Sequence, residues 1–119
     1  MAEGVKFDKG KLRYDLIPVG PLAELANVYT LGAVKYDDRN WEKGILFSRL
    51  YAAMMRHANK YWAGEKNDLE DGQHHLSSVA WCAFAMMELE KTHPEMDDRP
   101  KGKNTTMAEV MHRVSKNDK

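Results

Sequence analysis

The stretch FSRLYAAMMRHANKYWAGEKNDLEDGQHH, residues 47–75, joins an apolar helical pattern to a polar cluster and decides how the chain folds. Its first half repeats apolar residues at the i, i+3, i+4, i+7 spacing of one helix face. These residues are Phe47, Leu50, Tyr51, Met54, Ala58, Tyr61 and Trp62. The pattern predicts a helix that begins near Phe47, with Ser48 close to its start, and ends near Gly64.

The chain beyond this helix predicts another long helix. It runs from about Leu69 to Lys91, and Pro94 closes it. Its apolar residues nearly encircle the helix axis, which is typical of a helix buried between neighbours or inside an oligomer.

Upstream, the sequence predicts an extended arm followed by one more helix. Residues 1–17 show little periodicity, and the arm ends at Pro18. Pro21 suits the first turn of the helix that follows. The apolar residues of this helix at helical spacing are Leu22, Leu25, Ala26, Tyr29 and Ala33. No β-strand pattern appears, so we predict an all-α fold, a helical bundle with an extended N-terminal arm.

The end of the chain differs in composition from the rest. From Arg99 to Lys119 there are six basic residues against two acidic ones. Met107 to Val114 predict a short C-terminal helix. We therefore expect one domain over residues 1–95 and a basic C-terminal tail over residues 96–119.

Length and composition narrow the class of protein. The 119 residues carry 18 basic and 18 acidic side chains, so no overall field favours nucleic acid or a membrane as partner. No apolar run reaches the ~20 residues of a membrane span, and the N-terminus does not resemble a signal peptide. A single cysteine, Cys82, excludes an internal disulfide and fits a reducing cytoplasm.

The polar cluster within residues 57–75 contains acids and histidines that a helical projection brings together. At about 100° per residue, His57 and Glu65 lie at one border of the apolar stripe. On the next predicted helix, Asp68, Asp71 and His75 share a stripe. Carboxylates at the open end of a helix seam must share cations, protons or a metal ion.

Two interpretations of this cluster remain open from the residues alone. Converging carboxylates suit Mg²⁺ or Mn²⁺, which bind phosphate oxygens and activate water. The imidazoles could orient that water, assist proton transfer or ligate a softer metal ion, although the spacing lacks the regularity of a structural zinc site. Alternatively, Asp68 and Asp71 cap the third helix, and the adjacent histidines form an ordinary polar turn.

The segment KYDDRNW, residues 35–41, mixes basic and aromatic side chains. Lys35, Arg39 and Asn40 can hold phosphate, and Tyr36 and Trp41 can stack on a base. The alternative is a helix C-terminus that favours cations, with Trp41 anchoring a loop.

In combination, these segments resemble the dATP/dGTP diphosphohydrolases of phages and bacteria, which are related to the all-α MazG-type nucleoside triphosphate pyrophosphohydrolases. The resemblance covers about residues 11–91. The resemblance consists of short motifs in a fixed order. These are RYDLIP, then GAVKY with NW and KG after it, then RH, then GE with D three residues on, and finally G with HL three residues on.

The resemblance implies a MazG-like bundle and metal-dependent hydrolysis of a purine deoxynucleoside triphosphate to the monophosphate and pyrophosphate. It makes Glu65, Asp68, His57 and His75 the expected catalytic residues. The expected substrate-binding residues are Lys35, Tyr36, Asn40, Trp41 and Arg56. The expected ligands of Mg²⁺ or Mn²⁺ are Glu65 and Asp68, and we add Asp71, with Glu70 as another candidate.

The chain departs from the family pattern in two respects. The double acidic signature of MazG proteins is incomplete, and Ser78 stands where many relatives carry another histidine. These departures keep a second hypothesis open, a nucleotide-binding module that does not cleave its ligand, such as a phage sponge for signalling nucleotides.

The third helix also predicts an assembly. Trp81 and Phe84 project about 120–180° away from the stripe of Asp68 and His75, so both faces require burial. We expect a homodimer or a dimer of dimers, as MazG-type relatives also oligomerise. Arg56, on the opposite side of the apolar stripe, would reach a neighbouring subunit's site.

Overall fold

A computed structural model describes residues 4–100 and 107–117. Its α-helices are α1 (Val19–Tyr36), α2 (Phe47–Trp62), α3 (His75–Thr92) and α4 (Met107–Asn117). Short 3₁₀ turns occupy Tyr14–Leu16, Asn40–Lys43 and Pro94–Met96. These ranges contain no strand, only an isolated bridge between Asn67 and His74. The predicted all-α class is confirmed.

The core lies between α2 and α3, which run antiparallel. Phe47 and Leu50 from the first turns of α2 pack against Ala85 and Leu89 from the second half of α3, and all four are buried. Because the start of α2 meets the end of α3, the end of α2 must meet the start of α3. The polar segment that joins the two helices therefore closes the opposite end of the pair.

The predicted apolar stripe of α2 is buried along one edge only. Trp62 is 90% exposed and Tyr51 is 56% exposed. Both lie about 40–60° to the same side of Phe47 on a helical projection. α3 covers the side that carries Leu50, and the edge with Tyr51 and Trp62 stays exposed.

α1 packs on α3 through three aromatic rings. The ring centroids of Tyr29 and Trp81 are 6.1 Å apart, and Trp41 lies 6.2 Å from each of them. Tilted and edge-on pairs at this separation are favourable. Trp81, which the assembly prediction used as an apolar face in need of burial, is therefore half-buried within the chain itself, and the assembly stays a prediction. Phe84 remains 52% exposed.

The segments that flank the helical pair follow the predictions in outline. Residues 4–18 are exposed, and α1 begins at Val19 with Pro21 in its first turn, as predicted. α4 begins at Met107, as predicted, and ends three residues beyond Val114. Residues 101–106, 118 and 119 of the predicted tail lie outside the described residues. None of the described helices combines the length and apolar character needed to cross a membrane.

The chain that follows α3 returns to the start of α2. The backbone N–H of Ser48 donates to Asp98 Oδ1 at 2.8 Å, and the Ser48 hydroxyl donates to Oδ2 at 2.5 Å. α2 therefore takes its N-terminal cap from a residue 50 positions away rather than from its own sequence. The domain boundary at residue 95 stays a prediction.

Candidate functional site

The polar segment between α2 and α3 is a hydrogen-bonded loop. The predicted start of α3 near Leu69 is wrong, because α3 begins at His75. The backbone carbonyl of Asp68 accepts the N–H of Gly72 at 2.8 Å, and Gly72 has a φ of +75°. A right-handed helix cannot continue through that conformation, which glycine adopts readily.

The cap of α3 is also not the one that the sequence suggests. His74 occupies the N-cap position, and its Nδ1 accepts the N–H of Leu76 at 3.0 Å. Asp68 Oδ1 instead accepts the N–H of Glu70 at 2.9 Å, within the loop. The interpretation of Asp68 and Asp71 as caps of α3 is therefore wrong, and so is the helical stripe that placed them beside His75.

The loop nevertheless brings Asp68 to the histidines by another route. The N–H of Asp68 donates to the carbonyl of Gln73 at 2.7 Å, and the N–H of His75 donates to the carbonyl of Lys66 at 3.0 Å. These bonds fold the loop back on itself, so that Asp68 lies next to the first residue of α3.

Four side chains then meet between α2, the loop and α3. His57 Nδ1 lies 2.9 Å from His75 Nδ1, and His75 Nε2 lies 2.5 Å from Glu65 Oε2. Asp68 Oδ2 is 3.9 Å from His57 Nδ1. The side chain of His75 is fully buried and that of Asp68 is 10% exposed. The structure thus brings together all four predicted catalytic residues.

The hydrogen bonds restrict the protons of this cluster. A carboxylate only accepts, so His75 donates through Nε2–H to Glu65, and in the neutral ring Nδ1 then carries a lone pair. Burial and the nearby His75 lower the pKa of His57, against the opposing charge of Asp68. The hydrogen bond from the Glu70 N–H lowers the pKa of Asp68. The cluster therefore favours a neutral His57 imidazole beside an ionised Asp68 carboxylate.

A cavity of about 1240 Å³ adjoins this cluster. Its wall contains all five predicted substrate-binding residues, together with His57, Asp68 and Asp71. The five are Lys35, Tyr36, Asn40, Trp41 and Arg56. Arg56 lines this chain's own cavity, and its reach toward a neighbouring subunit's site stays a prediction. Typical small-molecule sites have volumes of about 300–1,000 Å³, so this one has room for a large polar ligand.

Two predicted residues at the cluster have other partners. Glu65 does not line the cavity and is bonded to His75. Asp71 lines the cavity, but Oδ1 accepts the backbone N–H of Gln73 at 3.0 Å and Oδ2 accepts its side-chain N–H at 3.2 Å. Both carboxylates therefore already hold neighbouring side chains.

Sequence reasoning missed some residues of the cavity wall. Gln73, Trp81 and Cys82 line it, and Gln73 Oε1 is buried without a partner among the described residues. Burial raises the pKa of the Cys82 thiol to about 11. A single glutamine in a polar run and a cysteine in an apolar helix carry no local signal of this position.

The turn between α1 and the cavity's aromatic wall has an unusual backbone. Asp37 has a φ of +103° and Arg39 a φ of +57°, both uncommon for residues with a Cβ. This turn reverses the chain between Lys35 and Trp41, which places both on one wall. The Lys35 ammonium lies 5.2 Å from the Tyr36 ring centroid, and its hydrogen bond with Tyr36 raises the pKa of Lys35.

Comparison with known proteins identifies relatives of this chain. A family model described as "dATP/dGTP diphosphohydrolase, N-terminal" matches residues 1–99. A protein of Salmonella phage PMBT28 that is named dATP/dGTP diphosphohydrolase is 34% identical over 96 residues, which are 81% of this chain and 33% of that protein. The chain thus spans about a third of the length of this curated relative. No solved structure matches the chain.

The family model extends over the arm, α1, α2 and α3, and it includes every residue that lines the cavity. The chain therefore belongs to the dATP/dGTP diphosphohydrolase family, through the part that the family model describes as N-terminal.

Proposed function

We propose that this chain hydrolyses a purine deoxynucleoside triphosphate of the dATP/dGTP type to the monophosphate and pyrophosphate, with Mg²⁺ or Mn²⁺ as cofactor. The observation that supports the proposal is the shared cavity. The cationic, aromatic and carboxylate groups that the reaction needs all line one cavity, whose volume is about 1240 Å³.

Each part of the cavity wall matches one part of such a substrate. Lys35 and Arg56 supply positive charge for the phosphates, and arginine can hold two phosphate oxygens at once. Tyr36 and Trp41 offer ring faces for the base. Asn40 has both a donor and an acceptor for base or sugar.

The acid and histidine cluster occupies the position where the phosphates would be cleaved. Asp68 and His57 border the cavity and carry an oxygen and a nitrogen donor suited to a divalent cation. A bound cation would supply charge neutralisation at the phosphates and a more acidic water molecule. Water oxygen bonds to the α-phosphorus, the bond from that phosphorus to the bridging oxygen breaks, pyrophosphate leaves, and the water proton passes to solvent.

The test is direct incubation of the pure chain with each deoxynucleoside and ribonucleoside triphosphate, with Mn²⁺ or Mg²⁺, followed by ion-exchange separation of the products. We expect pyrophosphate and the monophosphate, at the highest rate from dATP or dGTP. Arg56→Ala should lower the rate at least about tenfold, as loss of a charge-assisted phosphate contact does. Arg49→Ala is the matched control, because Arg49 is exposed on the same helix and does not line the cavity. No pyrophosphate from any nucleotide would refute the proposal.

A second candidate function is binding without cleavage, as in a module that sequesters a nucleotide. Ser78 lines the cavity, and the carboxylates of Glu65 and Asp71 are already bonded to His75 and Gln73. A nucleotide that binds tightly and is recovered intact after long incubation with the metal would favour this function over hydrolysis.

A further inference from the structure

We propose that His57, Asp68 and His75 form a site for a first-row transition-metal ion, such as Mn²⁺ or Zn²⁺, which binds there in preference to Mg²⁺. In the same site, Glu65 is the outer carboxylate that orients His75. This proposal deepens the proposed function and depends on it only for the role of the ion in hydrolysis. Metal binding itself is measured without nucleotide.

The first support is convergence of donors from three separate elements. His57 lies on α2, Asp68 in the loop and His75 at the start of α3, and one ligand atom from each lies within 4.8 Å of the others. Donors bound at about 2.1 Å on opposite sides of one ion are separated by about 4.2 Å. Small side-chain rotations therefore suffice to place all three on a common ion.

The second support is the short separation of the two facing Nδ1 atoms, 2.9 Å. If His75 donates through Nε2 to Glu65, its Nδ1 carries a lone pair that faces His57. This lone pair accepts either the Nδ1–H of His57 or, in the other His57 tautomer, a cation shared by the two Nδ1 atoms. Asp68 Oδ2, 3.9 Å away, is too far for a hydrogen bond to His57 but adds the negative charge that a cation requires.

The third support is the bond between Glu65 and His75. A histidine that binds a metal ion usually donates its other N–H to a carboxylate, which sets the tautomer and the ring orientation. His75 Nε2 makes such a bond to Glu65 Oε2 at 2.5 Å, while Nδ1 faces the cluster. His75 is fully buried, so this orientation is enforced by packing as well.

The donor types decide which ion is preferred. Two imidazoles and one carboxylate suit Mn²⁺, Fe²⁺, Co²⁺ and Zn²⁺, whereas Mg²⁺ prefers oxygen donors and water. The all-carboxylate set expected from the sequence shares only Asp68 with this site. Glu65 holds His75, and both Asp71 oxygens hold Gln73.

The experiment is metal titration of chelator-treated protein by calorimetry, with Zn²⁺, Mn²⁺ and Mg²⁺ in turn. Visible absorption of bound Co²⁺ adds a spectroscopic signature of the ligand set. We expect one equivalent of each transition ion and at least about tenfold weaker binding of Mg²⁺. His57→Ala should weaken binding at least about 100-fold, and Glu65→Gln about 10–100-fold as loss of an outer carboxylate does. His93→Ala, a histidine change at the far end of α3, should leave the affinity unchanged.

Each result either supports or overturns the site. Binding of less than one equivalent, or a His57→Ala variant with wild-type affinity, overturns it. Loss of binding in Asp71→Asn with no effect of His57→Ala would assign the ion to the carboxylate set instead. Thermal melting identifies variants that fail to fold. Because His75 is fully buried, the ligand variant of the test is made at the partly exposed His57. Metal binding as proposed, with no release of pyrophosphate, would refute the proposed hydrolysis and leave the metal site standing.

Discussion

The thiol of Cys82 offers a quantitative test of the cavity wall. Cys82 is 2% exposed, and burial raises the pKa of its thiol from 9.0 to about 11. Only the thiolate reacts with disulfide reagents. At pH 8 a thiol of pKa 9 is about one-tenth thiolate and one of pKa 11 about one-thousandth, so the folded protein should react about 100-fold more slowly than the unfolded chain.

The same shift predicts how stability depends on pH. Because the folded-state pKa is the higher one, the contribution of Cys82 is fully present below pH 9 and is lost as the pH rises towards 11. The difference of two pKa units lowers the free energy of unfolding by about 3 kcal/mol between pH 9 and pH 11. Cys82→Ala should lack this part of the decline.

The reaction rate is measured at pH 8, with and without urea, from the absorbance of the thiolate that the disulfide reagent releases. The pH dependence of stability is measured by urea denaturation between pH 7 and 11. A nucleotide bound in the cavity should slow the native reaction further, since Cys82 lines it. Equal reaction rates in native protein and in urea would refute the burial of this thiol.

Four further predictions concern the fold and the assembly. Leu89→Ala should lower the free energy of unfolding by about 2–5 kcal/mol, because it empties a fully buried site; urea denaturation measures this, and a loss under about 1 kcal/mol contradicts the packing. Gly44→Ala should lower the free energy of unfolding by about 1–3 kcal/mol, because φ is +113° and the new Cβ would lie 2.9 Å from Met96 Cε. An unchanged melting temperature would argue against this turn. Asp98→Asn should lower the melting temperature at pH 7 and reduce its fall on acidification. Hydrogen bonds from the first turn of α2 lower the pKa of Asp98 below 3.8, so its contribution is present above that pH and lost as the pH falls through the folded-state value; identical acid profiles would contradict the cap. Phe84→Glu should dissociate the proposed homodimer or dimer of dimers, which light scattering detects against the 13.7 kDa of one chain; a wild-type protein of monomer mass would remove the premise.

The predicted homodimer or dimer of dimers now depends on Phe84 rather than on Trp81. Trp81 is covered within the chain by Tyr29 and Trp41, so Trp81→Glu would damage the fold of a monomer as well as any interface. Phe84 and Met87, at 52% and 66% exposed, are the most exposed large apolar residues of α3 among the described residues. A substitution at Phe84 therefore separates assembly from folding.

Local pattern was sufficient for the helical class and for most helix positions. The spacing from Phe47 onwards placed α2, and Pro21 placed the first turn of α1. Periodicity reports which residues share a face, and a helix of 16 or 18 residues contains enough turns to make that report clear. The order of short motifs between residues 11 and 91 was enough to indicate the family that the comparisons identify.

The loop before α3 shows where the same reasoning failed. The sequence predicts a helix from about Leu69, which makes residues 69–74 helical. The structure places them in a loop, where side-chain and backbone hydrogen bonds from Asp68 and the positive φ of Gly72 compete with helix formation. Asp68 lies beside the histidines because this loop folds back on itself, and not because the residues share one face of a helix.

By itself, the sequence determined the helical class, the family and the chemical groups available to the site, because these depend on residue types and on spacing along the chain. Tertiary structure decided which groups meet: the pairing of Glu65 with His75, the 2.9 Å approach of His57 to His75 and the engagement of Asp71 by Gln73. It also decided that Arg56 lines the chain's own cavity. Helical periodicity fixes directions around one axis but carries no information on the distance between two axes or on the path of the loop that joins them. Those distances follow from packing of Phe47 and Leu50 against Ala85 and Leu89, at the other end of the helical pair.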